Sequence, residues 1–212
     1  MPVLVRDASA GTAIFDVDLA AAQALVPPAF EVIESAPGTA QLALALIDYR
    51  DNDLGAYHEV GTIFFVRPAG GGPDGSYISH LPVDQEFTCA AGNQIWGFPK
   101  TVQDIAVTQT ADTSRWVLTM DGELVIDITV PRGGSDEMPQ MALTSYTLID
   151  GRPHATAFSQ GGAGSSMSFD GVTWQLGTHP IAKELESLRL RFVMSTWVEH
   201  MQATFEDAVP LS

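Results

Sequence analysis

The chain has 212 residues, 45% of them hydrophobic, enough to bury a sizeable core. Only 17% are charged, and the formal net charge of −16 argues against nucleic acid or an anionic membrane as a partner, because both would be repelled. An anionic substrate would need a local cation to offset that field.

Cys89 stands alone, which leaves no disulfide framework and no cysteine metal knuckle and fits a reducing compartment. The opening stretch MPVLVRDASAGTA has no basic segment followed by an apolar core, so no signal peptide is expected. No run of about 18 apolar residues predicts a spanning helix. The expected location is cytoplasmic.

In chain order, GTAIF (11–15) predicts a strand, and DVDLAAAQALVPPAF (16–30) a short helix with Asp18 as N-cap and Pro27-Pro28 as its stop. TAQLALALIDY (39–49) and GAYHEVGTIFFVRP (55–68) predict strands. GGGPDG (70–75) is a turn before the strand SYISHL (76–81). TVQDIAVTQ, RWVLTM and ELVIDITV give three further strands separated by ADTS and MDGE turns. MALTSYTLID, RPHATAF and GVTWQL continue the pattern, with SQGGAGSSMS (159–168) as a soft connection. HPIAKELESL (179–188) predicts a helix. In FVMSTWVEHMQATF (192–205), Val193, Trp197, Met201 and Phe205 recur every fourth residue, a spacing that suits a helix or one strand face. Nineteen glycines and thirteen prolines fit many turns. The expected fold is α+β and β-rich, an antiparallel cone- or barrel-like sheet with a few short helices. With no internal repeat or linker, residues 1–212 read as a single domain.

One segment, NQIWGFPKTVQDI (93–105), stands out chemically. Of ten basic residues only two are lysines, and Lys100 follows Ile95, Trp96, Gly97, Phe98 and Pro99, with no acid nearer than Asp104. Burial disfavours the ammonium and can lower a lysine by roughly 3–5 pKa units, leaving a nucleophilic amine. The competing reading is a snorkelling lysine whose methylenes cover Trp96 or Phe98 while its amine stays in water. Alternation along 55–68 places Tyr57, Glu59, Ile63 and Phe65 on one face. A carboxyl group there needs a raised pKa or a cation partner, and either suits a proton shuttle. An edge-strand carboxylate at the sheet rim is the alternative.

His58 points to the opposite face, and no HExxH or similar spacing occurs, so no metal is expected. His80, His154, His179 and His200 are scattered and read as structural. Ser165 and Ser166 lack a GxSxG elbow, and the glycine-rich stretches do not sit between a strand and a helix as a nucleotide site requires.

GNQIWGFPK (92–100) resembles the active-site segment of the acetoacetate decarboxylase family, in which a glycine leads through apolar residues to a Pro-Lys whose lysine forms a Schiff base. LGAYHEVG (54–61) resembles the family segment that supplies the pocket glutamate, here Glu59. DLAAAQALVPPAFEV and WQLGTHPIAKELESL are similar to its early helix and its late strand-to-helix passage. Several positions depart from the family pattern. Thr101 stands where the decarboxylases have a second lysine, Asn93-Gln94 replaces an Arg-Glu pair, and leucine in QLALAL replaces an acid.

The resemblance implies a Schiff-base-forming, decarboxylase-like lyase with Lys100 as nucleophile and Glu59 as proton shuttle. It assigns Trp96, Phe98, Tyr57, Arg6 and Gln94 to the substrate, a small keto acid or ketone. It also implies a homo-oligomer and requires no cofactor, since the imine is itself the electron sink. The apolar tail VMSTWVEHM is compatible with an oligomer interface. An aldolase, dehydratase or cyclase of secondary metabolism would use the same lysine, and a non-catalytic barrel binding a hydrophobic carbonyl compound is the alternative of a different class.

Overall fold

The computed structural model describes residues 2–211. Strand β1 (Val3–Asp18) runs well beyond the GTAIF segment that marks it. At its end the Asp18 carboxylate accepts a hydrogen bond from the Ala21 N–H at 2.9 Å and caps α1 (Leu19–Leu25). Pro27 and Pro28 then lack the N–H that another turn would need. Two short strands, β2 (Phe30–Val32) and β3 (Glu34–Ala36), lead into β4 (Thr39–Asn52), β5 (Tyr57–Pro68) and β6 (Gly75–Val83).

Helix α2 (Glu86–Trp96) is absent from the sequence reading. Gly92 and small polar residues dilute its helical pattern. Its ends are nonetheless well made. The Gln85 side chain accepts from the Thr88 N–H at 2.6 Å, and Gly97 adopts φ 67°, a left-handed turn that costs glycine little. There follow β7 (Lys100–Val102), β8 (Asp104–Gln109), β9 (Thr113–Met120) and β10 (Glu123–Pro131). β11 (Asp136–Ile149) and β12 (Arg152–Ser168) form a long hairpin, and β13 (Thr173–Leu176), α3 (Pro180–Ser187), β14 (Arg191–Phe205) and β15 (Val209–Pro210) complete the chain.

The expected soft connection SQGGAGSSMS is instead the second half of β12. Its glycines serve close strand approach, because a Cβ on Gly162 would collide with the His200 carbonyl of β14.

Seven strands close into a barrel in the order β5-β4-β1-β14-β12-β11-β6, with β6 returning to β5. Every neighbouring pair is antiparallel except β6–β11, so the barrel is mixed at one seam. A second sheet, β13-β10-β9-β8, shares a core with the outer barrel face. There Phe15, Leu42, Leu44 and Phe64 meet Trp116, Leu118 and Ile128.

The ambiguous 192–205 segment is strand, and its fourfold spacing does not keep one face. A β-bulge falls between the pairs Ala8–Met201 and Ala10–Val198. Trp197 therefore enters the outer core while Met201 faces the barrel interior. Both are 1% exposed, so the expected apolar interface tail is interior packing.

Alternation along β4 explains the hollow barrel. Leu42, Leu44 and Leu46 fill the outer core, whereas Ala43, Ala45 and Ile47 line the interior with less bulk. The leucine expected beside the site in place of an acid thus faces away from it. Among the described residues, no helix is long and apolar enough to cross a membrane.

Candidate active site

The barrel encloses a cavity of about 780 Å³. Glu59 enters it from β5 and Lys100 from the first position of β7, which pairs in parallel with β6 through Leu81. Both residues are 5% exposed. Lys100 Nζ lies 2.8 Å from Glu59 Oε2 and donates to Thr88 Oγ1 at 3.0 Å and Tyr57 Oη at 3.3 Å. An ammonium has three protons, and these three oxygens surround it. Oε2 meets the ammonium off the ideal hydrogen-bonding direction, while Oε1 accepts from Tyr49 Oη at 3.2 Å. Tyr49 and Tyr57 sit directly opposite across β4–β5 and stack with centroids 4.4 Å apart.

Electrostatics corrects one expectation. Burial pulls the Lys100 ammonium toward neutrality, but the Glu59 carboxylate and the Tyr57 oxygen outweigh it, and the lysine lies above its ordinary value. These contacts favour the ammonium, where burial alone would favour the free amine. Burial, followed by the Glu59 charge, pushes the Tyr57 phenol up to about 12 and holds the Tyr49 phenol well above its usual range.

Helix α2 positions the lysine. The Asn93 side chain accepts from the Lys100 N–H at 3.1 Å and donates to the Lys100 carbonyl at 3.0 Å. The Cys89 thiol also reaches that carbonyl, at 3.3 Å. Gly92, one turn from Thr88, leaves a notch for the lysine methylenes.

Of the substrate residues expected from the sequence, Tyr57, Trp96 and Phe98 line the cavity. Two do not. Arg6 is exposed and held by Asp51 at 2.8 Å and Asp53 at 2.6 Å, because β1 turns its side chain outward toward the acids that end β4. Gln94 lies on the exposed side of α2, away from the face that meets Lys100. His58 points away from Glu59 and pairs with Asp84 at 2.6 Å. Among the described residues no cluster of histidine, cysteine or acidic side chains is placed to hold a metal.

Sequence reasoning missed Tyr49 and Thr88, and it named Gly92 and Asn93 as motif positions without the roles they have here. Tyr49 carried a usable signal, since its cavity-facing parity on β4 follows from Ala43, Ala45 and Ile47. Thr88 carried no such signal, and the part Asn93 plays in holding the Lys100 backbone follows only from α2.

The sequence profile of the family described as acetoacetate decarboxylase matches residues 1–210. Similar solved structures include an acetoacetate decarboxylase from Legionella pneumophila, with 17% identity and a TM-score of 0.73 over 100% of this chain and 88% of that one. The enduracididine biosynthesis enzyme MppR complexed with pyruvate has 18% identity and a TM-score of 0.67 over 100% and 91%. An acetoacetate decarboxylase-like enzyme from Sphingomonas wittichii has 14% identity and a TM-score of 0.65 over 100% and 92%. No curated protein sequence matches.

Proposed function

The chain belongs to the acetoacetate decarboxylase family, and from that premise we propose that it is a Schiff-base-forming lyase in which Lys100 captures the carbonyl carbon of a small keto acid or ketone. The observation that carries this reading is the buried Lys100–Glu59 pair, 2.8 Å apart in the wall of an apolar cavity.

The pair supplies its own nucleophile. Transfer of one proton from Lys100 to Glu59 converts two charges into a neutral amine and a neutral acid, and burial lowers the cost of that step because it penalises both charged forms. Nζ then attacks the carbonyl carbon, and the C=O π pair moves to oxygen, which takes the Glu59 proton. Glu59 recovers a proton from nitrogen and returns it to the hydroxyl, which leaves as water while the nitrogen lone pair forms the iminium. With a β-keto acid, the bond to the carboxylate breaks, CO₂ leaves, and its electron pair becomes the enamine C=C. With a ketone, the Glu59 carboxylate removes an α-proton to reach the same enamine, which then adds to an aldehyde or is reprotonated. The enamine is thus shared by decarboxylase, aldolase, dehydratase and cyclase outcomes. Tyr49 and Tyr57 hold the two sides of the pair, while Trp96 and Phe98 exclude water.

Borohydride reduction in the presence of pyruvate, acetoacetate or a simple ketone tests this reading. One adduct is expected on Lys100 by mass spectrometry and none on a Lys100→Ala protein, and release of CO₂ identifies the decarboxylase outcome. No adduct across a broad carbonyl panel would leave a non-catalytic binding barrel.

The barrel ring draws strands from Val3 to Phe205, which supports reading the chain as one domain. A cytoplasmic homo-oligomer completes the reading, and exposed Phe87 and Phe169 offer apolar surface for assembly.

A further inference from the structure

We infer that the substrate is an uncharged ketone or aldehyde with an extended apolar body, its carbonyl carbon seated at Lys100. The inference rests on the imine reading above and narrows it.

The charges in the cavity come first. Among the described residues, Lys100 is the only lysine or arginine that lines it, and Glu59 already answers that charge at 2.8 Å. The arginines that would ordinarily receive a carboxylate are committed elsewhere. Arg6 is clasped by Asp51 and Asp53, Arg50 by Asp7 at 2.7 Å, and Arg132 by Glu199 at 2.9 Å. The remaining charged lining residue, Asp74, is an acid in the β5–β6 hairpin, exposed and paired with Arg67 at 3.1 Å. A keto acid would bring a second carboxylate beside Glu59 into a low-dielectric hollow without a free cation to meet it. A neutral carbonyl compound brings no such charge. When its imine forms, the iminium inherits the place of the ammonium opposite Glu59.

Shape points the same way. The cavity-facing side of β5 runs from Glu59 to Phe65, six residue steps and roughly 20 Å at about 3.3 Å per step. Ala43, Ala45, Ile63, Phe65, Ile78 and Phe158 line this shaft. Apart from Asp74 and the groups around Lys100, the polar side chains of the lining, such as Thr12, Ser76, Thr144, Ser145, Gln160 and Thr196, are neutral. Exposure rises from buried Glu59 through half-buried Phe65 to Met141 and Leu143, 43% and 37% exposed, so the shaft opens at the end away from Lys100. A volume of about 780 Å³ suits a drug-sized ligand, for which cavities run roughly 300–1,000 Å³. Such a substrate has no carboxylate to lose, so its enamine arises by proton removal at Glu59, with an aldehyde as acceptor in an aldol condensation.

The test compares heptan-2-one with acetone, and 2-oxoheptanoate with pyruvate, on the wild-type protein. Binding is measured by calorimetry, and Lys100 adducts are measured by borohydride trapping and mass spectrometry. Heptan-2-one is expected to bind and to trap at least about tenfold better than acetone, given the apolar area its extra methylenes bury, and at least about tenfold better than 2-oxoheptanoate, whose equal chain brings a carboxylate with no free cation to meet it. Preferential binding or trapping of either keto acid overturns the inference, and a Lys100 adduct with that acid leaves the imine reading intact. Tight heptan-2-one binding with no adduct from any compound overturns the imine reading and upholds the substrate class. No preference in binding overturns the class.

Discussion

Gly92 of α2 lies directly beneath the side chain of Lys100. A Cβ at this position would stand 2.6 Å from the lysine Cδ and 2.8 Å from Cε, inside any tolerated carbon–carbon contact. The observed path of the lysine side chain therefore depends on a glycine here, although glycine costs a helix interior about 1 kcal/mol relative to alanine. The lysine passes through that notch to reach Thr88, Tyr57 and Glu59.

Replacing the glycine should separate fold from chemistry. Gly92→Ala gains helix propensity and loses the notch, with overpacking of about 1–3 kcal/mol as the local cost. Lys100 trapping is expected to fall by at least tenfold while the circular dichroism of the barrel is retained. Unchanged trapping kinetics would show that the lysine does not need this route.

The Glu59 charge should control the titration of Lys100. Burial alone lowers the lysine, and it is Glu59 with Tyr57 that lifts it above the ordinary value of 10.5. In Glu59→Gln the burial remains and the main opposing charge is gone, so the midpoint of the pH–trapping profile should move down, below that of wild type and of free lysine. Turnover should still be lost, as the proposed role of Glu59 as proton shuttle requires. A midpoint that stays put or rises would contradict the ion-pair account.

Alkaline stability provides an independent check. Tyr57 titrates near 10 when unfolded and at about 12 when folded, so its contribution is complete below pH 10 and is lost as pH rises to 12. Two units correspond to roughly 2–3 kcal/mol. Urea melts from pH 9 to 12 should show wild type losing about that much more stability than Tyr57→Phe. Parallel curves for the two proteins would refute the buried phenol.

Arg6 offers the contrasting case. Exposed and bound to Asp51 and Asp53, it lies outside the cavity. Arg6→Ala should leave trapping rates for neutral and acidic carbonyl compounds within twofold of wild type. A selective loss with keto acids would restore this residue to the substrate.

Some of the site can be read from residue order. Period-two alternation places Tyr57, Glu59, Ile63 and Phe65 on one strand face, and all four line the cavity. The apolar neighbours of Lys100 signal burial, and Lys100 is buried. Asp18 and the two prolines mark α1 because caps and stops are local chemistry. By contrast, SQGGAGSSMS looks like a loop and is strand, because what its glycines accommodate is the backbone of β14, distant in sequence.

Composition and local patterning by themselves determined a β-rich chain, its greasy lysine and a glutamate of the right strand parity, since each of these depends on neighbours within a few residues. Only the tertiary structure decided that Glu59 and Tyr57 raise a lysine that burial alone would lower, that Arg6 is spent on the surface, and that alanines hollow the barrel beside the pair. Those outcomes depend on which charges and side chains meet across strands and helices. Electrostatic energy follows separation in space, and residue order does not record that separation.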